Sequence, residues 1–120
     1  MKTNHLATGH GHTLYVVEES ARCPVMDFIN NLEDKDQKQV FALLHLITEK
    51  GPPQNEEKFK KLRDGIFELK TYRGIRILAF SGGSIYKRSL ILVDGFRKPK
   101  RRELARLIEK AVEYRKAFFS

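Results

Sequence analysis

One cysteine, Cys23, stands in 120 residues. No internal disulfide can form, nothing calls for an oxidising compartment, and the cytoplasm is the expected location. No apolar run approaches the ~20 residues that a membrane-spanning helix needs, so no membrane association is expected. The opening MKTNHLATGHGH lacks the apolar stretch of a signal peptide. Neither G-x-x-x-x-G-K-S/T nor G-x-G-x-x-G occurs, which leaves nucleotide cradling without support. A lone cysteine and four scattered histidines do not make a structural zinc site. A two-metal nuclease gathers carboxylates. From residue 58 onward there are only Asp64, Glu68, Asp94, Glu103, Glu109 and Glu113, three of them in the last helical segment. A metal-dependent mechanism is not expected, and no cofactor is called for.

What is abundant is positive charge. The composition, 41% hydrophobic and 32% charged, is that of a globular chain, and the net charge is +8. Residues 1–57 hold 5 Lys and Arg against 9 Asp and Glu, whereas residues 58–120 hold 18 against 6. The whole excess lies in the second half. Such asymmetry points to a polyanionic partner; the plainer reading is a basic, soluble surface. The charge peaks after the aliphatic run Leu90-Ile91-Leu92-Val93, where Arg97, Lys98, Lys100, Arg101 and Arg102 follow closely. Like charges at that density repel, so folding alone does not account for them.

Along the chain, residues 1–12 contain His5, His10 and His12 without apolar periodicity and read as a disordered tail rather than a metal site. Residues 13–120 read as a single domain. HTLYVVEES has strand composition. CPVMDFINNL carries proline in a first helical turn and apolar residues at helical spacing. In EDKDQKQVFALLHLITEKG, Val40, Leu43, Leu44 and Ile47 make one stripe, Asp34 and Asp36 suit the dipole at its start, and Gly51 with Pro52-Pro53 ends it. PPQNEEKFKKLRDG reads as a polar connection. IFELKTY, IRILAF and the end of IYKRSLILVDGF are strands with short turns, hence an antiparallel meander. RRELARLIEKAVEYRKAFF is a closing helix. The predicted class is α+β in the order β-α-α-β-β-β-α, an antiparallel-rich sheet packed against two N-terminal helices.

A surface rich in Lys and Arg displaces counterions from phosphates. Exposed members of the set Phe67, Tyr72, Phe80, Tyr86 and Phe96 are able to stack on unpaired bases, although strand aromatics are more often core. RNA also carries its own nucleophile, the 2′-OH. A protein that deprotonates it, neutralises the phosphorane-like transition state and protonates the leaving oxygen needs no metal.

FKKLRDGIFELKTYRGIRILAF, LILVDGFRKPKRREL and EKAVEYRKAFF together resemble the HigB-like, phage-derived branch of the RelE/ParE toxin superfamily. The family pattern runs K-x-L-x-x-G-L/I-W/F-E-L-R, then R-I/V-x-Y-F, then L-L-H-G-F-x-K-K, then A-x-x-x-R with an aromatic three residues on. The resemblance covers about residues 13–119. It implies a small RelE-like fold and the toxin of a type II toxin–antitoxin pair. It also implies a ribosome-dependent endonuclease that cuts mRNA without metal. The implied partners are a HigA-like helix-turn-helix antitoxin, the ribosome and its mRNA, and operator DNA bound through the antitoxin complex. The alternatives within the superfamily are a ParE-like inhibitor of DNA gyrase, or a weak relative that binds only its antitoxin and operator.

Carried over by position, Lys60, Arg76 and Lys98 are the expected catalytic residues. Lys58, Lys61, Arg63, Lys70, Arg73, Arg97, Lys100 and Arg101 are expected to hold RNA. Glu68 and Arg115 match the pattern's glutamate and late arginine. Each has a plainer counterpart: Glu68 as the cross-strand partner of a cation, Arg115 as a helix-surface charge. The chain departs from the pattern at Lys70 (usually arginine), Asp94 (often histidine), Pro99 (usually lysine) and Phe118 (often tyrosine), with Tyr72 or Tyr114 as the nearest substitutes for the lost hydroxyl. The first of these departures removes a bidentate fork.

Overall fold

The computed structural model describes residues 1–98 and 101–120. A hairpin of β1 (Lys2–Thr8) and β2 (Thr13–Glu18) leads into helices α1 (Pro24–Asn30) and α2 (Asp34–Lys50). Strands β3 (Phe59–Lys61), β4 (Ile66–Lys70), β5 (Ile75–Ser81) and β6 (Ser89–Arg97) follow, and α3 (Arg101–Phe119) closes the chain. One six-stranded sheet has the order β1-β2-β6-β5-β4-β3. β2 and β6 run parallel, and the other neighbours are antiparallel. The α+β class, the β4–β5–β6 meander and all three helices agree with the sequence. No helix among the described residues is long and apolar enough to cross a membrane.

Two strands were not legible. Residues 2–8, expected as part of a disordered tail, form the edge strand β1, paired from Lys2 opposite Glu18 to Thr8 opposite Thr13 with a register shift between His5 and Ala7. Their stabilisation is mostly polar and backbone-borne, which apolar periodicity cannot report. Asn4 Nδ2 donates to Glu18 Oε1 at 2.8 Å, and the turn is tied to α2 by Gly11 N and His12 N, both donating to Thr48 O at 2.7 and 2.8 Å. The second is β3, inside the segment read as a polar connection. A single apolar side chain, Phe59, anchors it by stacking on Phe67 of β4 at 4.8 Å between ring centroids.

The sheet is covered on both faces. On one, α1 and α2 bury Val25, Ile29, Val40, Leu43, Leu44 and Ile47 against Leu14, Leu69, Ile77 and Leu92. On the other, α3 buries Ile108, Ala111 and Val112 against Ile66, Leu78, Phe80 and Ile91. Strict alternation along β6 is interrupted by a bulge: Leu78 pairs with Asp94 and Ala79 with Leu92, so Val93 is the extra residue. Val93 and Asp94 therefore both lie on the α3 side. Beyond the bulge every side chain is on the opposite face from the one unbroken alternation would give. Gly95 meets Phe28 of α1, Phe96 joins the α3 side, and Arg97 turns toward α2.

Gly95 is required by that approach. A methyl group at this position overlaps the Phe28 ring, whose carbons are its nearest neighbours. Gly95→Ala is expected to destabilise the protein by about 1–3 kcal/mol, the usual cost of forcing extra volume into a packed core. Urea denaturation checks this as a lower midpoint with an unchanged slope.

Candidate functional site

Strand register decides which cations meet. On the α3 face, Lys60 of β3 stands opposite Glu68 of β4, Lys70 opposite Arg76 of β5, and Arg76 opposite Phe96 of β6. Glu68 is opposite Leu78, which makes Arg76 its diagonal neighbour. Directly opposed Cβ atoms lie about 5 Å apart and diagonal ones about 7–8 Å. Lys60 and Arg76, two strands apart, flank Glu68 across about 10 Å of sheet. The Arg76 and Glu68 side chains are only 16% and 9% exposed, with Arg76 Nε 3.9 Å from Glu68 Oε2. At that separation the pair is electrostatic rather than hydrogen-bonded, so Glu68 orients the guanidinium without occupying its donors.

Lys98 follows β6, and its backbone N–H donates to Gly74 O at 2.9 Å. That places its backbone two residues beyond Phe96, the cross-strand neighbour of Arg76. Lys60 and Arg76 thus share a sheet face, and the Lys98 backbone continues β6 past the start of β5. The register puts a carboxylate, Glu68, opposite Lys60.

The expected RNA-binding set divides. Arg73 Nε donates to Asp36 Oδ1 at 2.7 Å and Arg97 Nη2 to Asp36 Oδ2 at 3.2 Å, on the α2 side of the sheet. Arg63 donates to Asp64 at 2.7 Å and to Glu109 of α3 at 2.8 Å. The hydrogen bond to Glu109, followed by that to Asp64, raises the pKa of Arg63 further. These three arginines hold the fold as well as facing solvent, because each has a carboxylate within hydrogen-bonding reach. Lys61 pairs with Phe67 and belongs to the α2 side. Lys58 accepts from Lys70 N through its carbonyl at 2.8 Å, and Arg101 opens α3 with an exposed side chain. Lys100, with Pro99, lies outside the described residues.

The departures from the family pattern find places. Lys70 keeps a cation opposite Arg76. Asp94 accepts from its neighbour Gly95 N at 2.8 Å and lies 3.9 Å from Lys110 of α3. Phe118 is packing: its ring meets Phe80 at 5.4 Å and Tyr86 at 5.5 Å. The Tyr114 hydroxyl is buried without a hydrogen-bond partner among the described residues, in a groove with Glu18, Glu19 and Lys110. It is not grouped with Arg76. Tyr72 stands 96% exposed at the β4–β5 turn.

Asp36 is the residue that sequence reasoning missed. Its place in the first turn of α2 explains it as a dipole partner, yet only 1% of it is exposed. The hydrogen bond from Arg73 holds its carboxyl below the ordinary value; burial opposes this, and Arg97 adds to it. Phe96, read with the other strand aromatics as core, does pack against the α3-side core, and the bulge also makes it the neighbour of Arg76. Among the described residues no group of three or more His, Cys, Asp or Glu side chains is arranged to hold a metal ion.

A family model described as Phage derived protein Gp49-like (DUF891) matches residues 27–116. No curated protein matches the chain.

Proposed function

Because the chain belongs to the Gp49-like family of phage-derived proteins, a RelE/HigB-like toxin family associated with toxin–antitoxin pairs, we propose that it is a metal-independent endoribonuclease that cuts mRNA on the ribosome. The row Lys60–Glu68–Arg76 on one sheet face, with Lys98 at its end, carries this reading. Arg76 offers a guanidinium fork to the non-bridging oxygens of the scissile phosphate, where charge grows as the 2′-oxygen attacks. Lys60 supplies a second positive charge and a proton carrier two strands away. Glu68 fixes both. Lys98 meets the RNA backbone at the edge of the site, with Lys58, Lys70 and Arg101 as further phosphate contacts. An antitoxin partner accompanies a toxin of this family; a HigA-like helix-turn-helix protein that also binds operator DNA is the form proposed.

Purified protein added to a translating extract tests the reading. Transcripts are expected to acquire new ends within the translated frame, with chelator present, and far fewer when ribosomes are removed. Intact transcripts accompanied by blocked DNA supercoiling would instead assign the protein to gyrase inhibition.

A further inference from the structure

A groove of about 450 Å³ runs between α2 and the β3–β4 edge, around the hairpin end from the cationic row. Leu43 and Leu46 give it an apolar floor; Lys58, Lys70 and Tyr72 stand along its other wall, with the Glu57 carboxylate next to Lys58. Lys70 belongs to both regions, since it lines the groove and pairs in register with Arg76. Two features have no use in folding. Tyr72 leaves a whole aromatic ring in water at the hairpin tip, 96% exposed. Gln39 lines the groove, and its Oε1 is buried with no hydrogen-bond partner among the described residues. A buried acceptor left unpaired costs free energy that a ligand donor would recover. The terminal amide torsion is soft, so turning that oxygen toward a guest is inexpensive.

A flat π face, an apolar floor, one amide and two ammonium groups against one carboxylate suit a flat guest with a polar edge and an attached anion. We infer that this groove receives an unpaired nucleobase of the RNA, next to the linkage that is cut. Tyr72 is the stacking platform, Gln39 reads the base edge, and Lys58 and Lys70 take the adjoining phosphate. The inference rests on the endoribonuclease reading and adds to it a specificity subsite outside the cationic row.

The test uses a short single-stranded RNA of mixed sequence, labelled at one end, together with maps of cut sites in a translating extract. Tyr72→Ala is expected to weaken binding on the order of tenfold, the loss of one stacked base. The salt dependence should stay as in the wild type, because no phosphate contact goes. Lys58→Ala should lower the salt slope by about one unit. Gln39→Leu should redistribute the cut sites among sequences. The exposed position of Tyr72 means that its replacement leaves the melting temperature unchanged, so a folding defect is separable. Wild-type protein that cuts RNA, beside Tyr72→Ala and Gln39→Leu variants with the same affinity and the same cut sites, overturns the subsite alone and leaves the groove to a protein partner. Wild-type protein that neither binds nor cuts RNA overturns the reading beneath it, and the subsite falls with it.

Discussion

Arg76→Ala is expected to lower RNA cleavage in a translating extract about a hundred- to a thousandfold, the usual cost of deleting one donor aimed at developing transition-state charge. The effect is large because the surroundings make Arg76 hard to replace. Its side chain is only 16% exposed, so bulk water screens its field poorly. Its nearest carboxylate, Glu68, lies at 3.9 Å and leaves the guanidinium donors for a substrate. Its cross-strand neighbours, Lys70 and Phe96, offer one point charge and one apolar wall. Lysine at position 76 keeps the charge and loses the fork, so Arg76→Lys should fall between wild type and alanine. Truncation also leaves the largely buried Glu68 without one of its two cationic neighbours. Thermal denaturation must therefore accompany the rate measurement. A rate loss retained in Arg76→Lys at wild-type melting temperature belongs to chemistry rather than to folding. On induction in bacteria the alanine variant should be tolerated where the wild type arrests growth. An alanine variant as toxic as wild type removes Arg76 from the mechanism.

The second large effect is on stability. Asp36→Ala is expected to lower the melting temperature by on the order of 10 °C, because it leaves Arg73 and Arg97 without the buried carboxylate that joins them. One side chain ties three parts of the fold together: the first turn of α2, the β4–β5 turn through Arg73, and the end of β6 through Arg97. Asp36→Asn retains the shape and an acceptor oxygen and should lose less. The pH dependence has a definite sign. The Asp36 carboxyl is held below its ordinary value of 3.8, chiefly by the Arg73 hydrogen bond. Its folded value is thus below its unfolded one. The stability it contributes is fully present above the unfolded value and disappears as pH falls through the folded one. The gap in melting temperature between wild type and Asp36→Asn should be constant near neutrality and close below about pH 4. A gap that persists undiminished into strong acid would mean that charge is not the source of the stabilisation.

Much of the fold was legible because it is written in apolar spacing. The α2 stripe of Val40, Leu43, Leu44 and Ile47 is buried as its period requires, and Gly51 ends the helix with a positive φ of 81°. The alternation in IFELK separates Leu69, which meets the helices α1 and α2, from Glu68 on the α3 side. β1 and β3 escaped notice because backbone ladders and one aromatic stack, rather than repeated apolar side chains, hold them. The candidate site is less legible. Register puts Lys60 and Arg76 on one sheet face with Glu68 between them, and the backbone of Lys98 beside Gly74. Arg73 and Arg97 were counted with the phosphate-binding cations, but a buried aspartate some sixty residues before Arg97 engages both.

By itself the sequence determined the class of the fold, the segregation of positive charge into the second half, the family, and the scarcity of carboxylates along that half. Fold class and charge follow from composition or from a short period along the chain, and the family from the order of its motifs. Only the tertiary structure decided which cations share a face. A single extra residue at Val93 turns Phe96 toward Arg76 and Arg97 toward Asp36, and no local pattern in LILVDGFR announces it. The physical reason is that a strand's side chains alternate with a period of two, so one bulge exchanges the faces of everything beyond it.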